Sequence, residues 1–191
     1  MKESTKKYEA LKLNIEDVKN ATFEQKVFFT KAAKLMIEVL NEDAFWGEVQ
    51  TNYNDWIYKN IKKDGKWEPV SFEEYKDLVM SGKSIFEEHA DNEIDIHVTL
   101  YYSRKNVVGY TNPRTYFTWF NRKYLKSFDI ADMAGHIWHE ENHNIGFDHP
   151  GANKRSLVYQ SGYLMKDYIR RKLNLEVKPR VYKRSFCDRF K

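Results

Sequence analysis

Hydrophobic and polar positions alternate most cleanly between Glu93 and Tyr102, where Ile94, Ile96, Val98 and Leu100 take every second place. A period of two predicts a strand with one covered face and one polar face. His97 falls on the polar face, as surface histidines usually do. A helical period governs residues 23–39, where Phe23, Val27, Lys31 or Ala32, Leu35, Met36 and Val39 recur. Thr22 with Gln25 forms a capping box ahead of this helix, and Asn41 ends it. Ser71 opens a second helix in the same way, and Ser81-Gly82 closes it. Thr115 to Phe120 is rich in aromatic and β-branched residues and reads as a strand. Asp129 then caps a helix, with Asp132 three residues on and Met133, Ala134, Ile137 and Trp138 following. That helix is expected from about Ile130 to Asn144, and a last one from about Tyr163 to Leu173.

Other stretches are less decisive. Residues 1–20 are charged and read as an arm or a short strand near Leu11 to Ile15. From Ala44 to Val70 the pattern is mixed: Phe45, Trp46, Tyr53, Trp56, Ile57, Tyr58 and Ile61 suit one strand or a helix pair, with a turn over Lys63–Lys66. Val107 to Pro113 reads as a short strand, and its proline favours a sheet edge. Pro150 to Ser156 reads as a flexible connection. Strands mixed with helices in this order predict an α+β fold in a single domain over 1–191, with an N-terminal arm (1–20) and a basic C-terminal tail (174–191).

Composition narrows the class. The 191 residues are 41% hydrophobic and 16% aromatic, enough to build a buried core and unlike a disordered chain. The net charge is +4, and it is unevenly spread. The last 26 residues hold ten Lys or Arg against three Asp or Glu. That tail reads as a solvated face or docking arm; nucleic acid is disfavoured, because Tyr168, Tyr182, Phe186 and Phe190 are too sparse for a binding module. Cys187 stands alone, so the fold depends on no internal disulfide. No stretch is long enough to span a membrane, and no apolar run follows the first residues as in a signal peptide. A soluble monomer is expected, either cytoplasmic or secreted with its leader removed.

The chemistry is concentrated between His139 and His149, which reads His-Glu-Glu-Asn-His-Asn-Ile-Gly-Phe-Asp-His. On a helix, His139 and His143 lie one turn apart and project from one face, so both imidazoles reach one metal ion. A catalytic zinc takes about three protein ligands and keeps one position open. Gly146 can adopt the left-handed conformation that ends a helix, which swings His149 back toward the same ion. Glu140 follows His139 directly and falls beside the open position. His136, one turn earlier, is a rival ligand or a core histidine; the core reading leaves Gly146 and His149 with a purpose. A structural metal site, or a polar face without metal, is the plainer alternative.

This stretch resembles the zinc-binding signature of the metzincin metallopeptidases, His-Glu-x-x-His-x-x-Gly-x-x-His, with all five fixed positions filled. The resemblance implies a zincin catalytic domain: a mixed twisted sheet, a long helix beneath it, an active-site helix and a C-terminal helix. It implies Zn2+ held by His139, His143 and His149, with Glu140 as the general base of a metalloendopeptidase acting on peptides or proteins. It also implies a methionine-containing turn beneath the metal before the last helix. The chain departs there: position 157 is Leu, and Met165 falls inside the expected helix. Tyr159 stands where several metzincins carry a tyrosine, and either stabilises an oxyanion or packs in the core. The rim of the cleft would be Gly109, Tyr110 and Thr111, against which an extended peptide can pair. Two other readings remain: a catalytically silent zinc-bearing binding module of the same fold, and a protease that cuts a single partner protein.

Overall fold

The period-two run becomes β4 (Glu93–Tyr101) in the computed structural model, which describes residues 7–63, 66–84, 91–111, 117–149, 151 and 153–177. Its burial alternates residue by residue, with Ile94, Ile96, Val98 and Leu100 inside. β1 (Lys12–Lys19) pairs with it in parallel on one side, and β6 (Phe117–Asn121) in parallel on the other. β5 (Gly109–Thr111) runs antiparallel to β6, so the sheet order is β1-β4-β6-β5 and β5 is its last strand. The expected N-terminal arm is thus corrected over Lys12–Lys19, which form an edge strand longer than the Leu11–Ile15 segment. Residues 115–116 of the expected aromatic strand lie outside the described residues, as do Pro113, Pro150, Cys187 and the tail from 178 onward.

The covered face of the sheet rests on α1 (Phe23–Leu40), whose Phe29, Ala32, Ala33, Met36, Ile37, Val39 and Leu40 are buried. Its capping box forms as expected, with the Thr22 side chain and Gln25 satisfying each other's main-chain donors. Phe29 meets Phe120 of β6 edge to face at 5.2 Å between ring centres. Removing that ring in Phe29→Ala costs ~3–5 kcal/mol in lost transfer energy and cavity.

The mixed segment resolves into α2 (Asp43–Tyr53), then an antiparallel hairpin of β2 (Asn60–Lys63) and β3 (Lys66–Pro69). α3 (Phe72–Met80) follows with its Ser71/Glu74 capping box. The apolar and aromatic residues of this region did not mark one period because they serve different partners. Trp46 and Tyr53 both pack against Tyr75 of α3, at 5.9 Å between ring centres in each case, whereas Ile61 bridges to Phe147.

α4 (Ile130–Ile145) and α5 (Leu157–Lys172) form the most extensive helix pair. The start of α4 is tied to the end of α5. Arg170, only 2% exposed, reaches Asp129 at 2.6 Å and Asp132 at 3.2 Å, the two residues of the α4 capping box. A charge so deeply buried is tolerated because both carboxylates meet it. The onset of α5 corrects the expected start at Tyr163: Ser156 is the cap, and Tyr159 lies in the first helical turn. Gly162 lies within α5, where glycine costs ~1 kcal/mol relative to alanine. It is present because a Cβ there would sit 2.9 Å from the Gly135 carbonyl oxygen, so the crossing of α4 and α5 excludes a side chain.

The architecture is mixed α/β, with five helices and a mixed sheet among the described residues, consistent with the α+β expectation. No described helix is long and apolar enough to cross a membrane.

Candidate metal centre

α4 ends where its sequence demands. Gly146 takes φ 115, the left-handed region a Cβ disfavours. Its N–H bonds the His143 carbonyl at 3.0 Å, and Phe147 N–H bonds the Asn142 carbonyl at 2.9 Å, which closes the helix with both bonds of a Schellman ending. Phe147, 1% exposed, then inserts against Tyr75. Strand-like bridges brace the reversed loop at two places. Ile61 bridges to Phe147 at its beginning, and Ile57 bridges to Ser156 at its end.

The reversal brings His149 back to the helix. His139, His143 and His149 place ligand atoms within 4.8 Å of one another, close enough to bind one metal ion. Their ring centres are 5.3, 5.4 and 5.0 Å apart in pairs. Two rings are oriented by main-chain carbonyls: His143 Nδ1 lies 2.8 Å from the Phe147 oxygen, and His149 Nδ1 contacts that of Gly151. Each bond leaves the Nε2 of its ring for another partner. His149 Nε2 is buried and has no hydrogen-bond partner, a cost that a bound cation would remove. Burial holds the His139 imidazole well below the usual histidine range, helped by the neighbouring histidines. It lowers His143 as well, against the opposing pull of the Phe147 carbonyl. Neutral imidazole is the form that ligates metal.

Glu140, 4% exposed, points to β5 instead of solvent. Burial pushes its carboxyl up to about 7, while hydrogen bonds from the Thr111 hydroxyl and main chain draw it down. Tyr159 leans on the cluster, its ring 4.5 Å from His139 and 4.7 Å from His149. It is half-buried, and its hydroxyl has no hydrogen-bond partner among the described residues. Burial and the Glu140 charge raise its phenol. A groove of about 270 Å³ runs from Glu140 and Tyr159 between Val108, Gly109, His136 and Tyr163.

His136 stays out of the cluster. It stacks on Phe128 at 4.9 Å with the rings nearly parallel and lines the groove beside Glu140, so it is no rival ligand. His97 packs against Phe117 on the sheet's other face. Leu157 is the first residue of α5 and Met165 is buried within that helix, so neither lies in a methionine turn. The partnership of Thr111 with Glu140 escaped the sequence, because 29 positions separate them and no spacing rule links a strand to a later helix.

No family model, curated protein or solved structure matches the chain.

Proposed function

We propose that the chain is a zinc-dependent metalloendopeptidase of the metzincin type. The observation that carries this reading is the convergence of three imidazoles within 4.8 Å, with the buried Glu140 carboxylate following His139 in the chain. The donor set suits the metal: three imidazole nitrogens with no carboxylate favour zinc over magnesium or calcium. His139, His143 and His149 would hold it, and the orphaned His149 Nε2 accords with that role. When bound, zinc supplies Lewis acidity, polarising a carbonyl and lowering the pKa of a water toward about 7.

The chain's own residues do the rest. Glu140 accepts the proton of the attacking water and delivers it to the departing amine. Tyr159, whose ring leans on His139, donates its hydroxyl to the oxygen that gains charge as the peptide carbon becomes tetrahedral. β5 ends the sheet and presents main-chain groups with which an extended substrate can pair. The groove beside Glu140 and Tyr159 gives a peptide room to approach them, as an enzyme requires.

The test is Glu140→Gln. It should keep one equivalent of zinc while cleavage of a peptide library falls by about a hundredfold or more. Cleavage by this variant at the wild-type rate would sink the assignment. A digest by the wild-type protein that chelation leaves unchanged would sink the role of the metal.

A further inference from the structure

Glu140 is reached from β5 by two residues of one face. Strand side chains alternate, so positions 109 and 111 both face α4, while Tyr110 turns outward and stacks on Trp119. Thr111 Oγ1 lies 2.8 Å from Glu140 Oε2. Glycine at 109 leaves room for the other oxygen: a Cβ there would stand 3.2 Å from Glu140 Oε1 and 3.0 Å from the Trp119 carbonyl. Thr118, 1% exposed, lies behind, its hydroxyl 3.1 Å from that of Thr111. The direction of these bonds follows from counting protons. With the carboxylate ionised, Thr111 donates its single proton to Glu140, and Thr118 is then the donor between the two threonines.

We infer that Thr111, backed by Thr118, is a positioning residue that clamps the Glu140 carboxylate from the edge strand. The catalytic consequence rests on the peptidase reading above; the clamp itself does not. A glutamate side chain loses rotamer entropy on being held in one place. A hydroxyl bond to a charged group offsets that loss, and a methyl group in its stead would not.

Thr111→Val keeps the β-branched shape and removes the donor, whereas Thr111→Ser keeps the donor. Metal-free crystals of both variants read the position of the carboxylate. A fluorogenic peptide that the wild-type protein cleaves, found in a peptide library, reads turnover. In Thr111→Val the carboxylate should leave its place and kcat should fall about ten- to a hundredfold with KM unchanged. Thr111→Ser should restore both. The clamp is overturned if the carboxylate keeps its place in Thr111→Val, or if Thr111→Ser is as impaired as Thr111→Val. Should the wild-type protein cleave no peptide in the library, the broad-specificity peptidase reading fails, and the crystals still decide the clamp.

Discussion

The crossing of α4 and α5 makes a prediction in which two known effects oppose each other. Gly135 and Gly162 both lie in helices, where alanine is better than glycine by ~1 kcal/mol. Intrinsic propensity alone therefore expects Gly135→Ala to stabilise. At 135, however, a Cβ would stand 2.7 Å from the Gly162 carbonyl oxygen and 2.9 Å from Lys166 Cβ. Both are atoms of the opposing helix at its core, so no flexible tip can swing aside and α5 must shift as a body. Overpacking of this kind costs ~1–3 kcal/mol. Subtracting the propensity gain leaves Gly135→Ala about 0–2 kcal/mol less stable, instead of ~1 kcal/mol more stable. Gly162→Ala meets the same carbonyl contact at 2.9 Å and adds His139 Cβ at 3.3 Å, so it also disturbs the metal ligand. Gly47 in α2 is the control, because a Cβ there meets nothing within 4 Å. Gly47→Ala should stabilise by ~0.5–1 kcal/mol. Urea unfolding of the metal-free proteins reads all three, and chelator competition reads zinc affinity. If Gly135→Ala is more stable than the wild type, as Gly47→Ala should be, the helices do not cross as closely as described and the reasoning fails.

Two further predictions concern charge and metal. Burial, with Lys166 nearby and Asp132 opposing, lowers His136 from 6.5 to about 4. Between those values the unfolded chain binds more protons than the folded one, so stability falls as the pH drops through this window. From pH 7 to pH 5 the loss attributable to His136 is ~2 kcal/mol at most, because part of the ring edge faces the groove and water there reduces it. Metal-free His136→Gln should lose correspondingly less than the wild type over that interval; equal losses would refute the assignment. Zinc at a hundred times its dissociation constant should raise unfolding free energy by ~2.7 kcal/mol, and a chelator should remove the gain. His149→Ala should lose most of this stabilisation in a thermal melt, and an unaltered gain would exclude His149 from the site.

Local features were legible because their causes are local. The alternation that makes β4, the three capping boxes, and the glycine that ends α4 each depend on residues within a few positions of one another. The histidine triad belongs with them, since one helical turn and one reversal span the whole interval from His139 to His149. Contacts between distant segments carried no such mark. The close approach of Gly162 to Gly135 and the bond from the Thr111 hydroxyl to Glu140 both join segments far apart in the chain. The bridges of Ile57 and Ile61 to the two ends of the ligand loop were hidden in a segment with no single period. Helix caps and ligand spacing are set by backbone geometry that repeats every few residues. The close helix crossing, the braced loop and the clamped carboxylate depend on which surfaces meet after the chain has collapsed, and periodicity along one segment says nothing about the surface it will face.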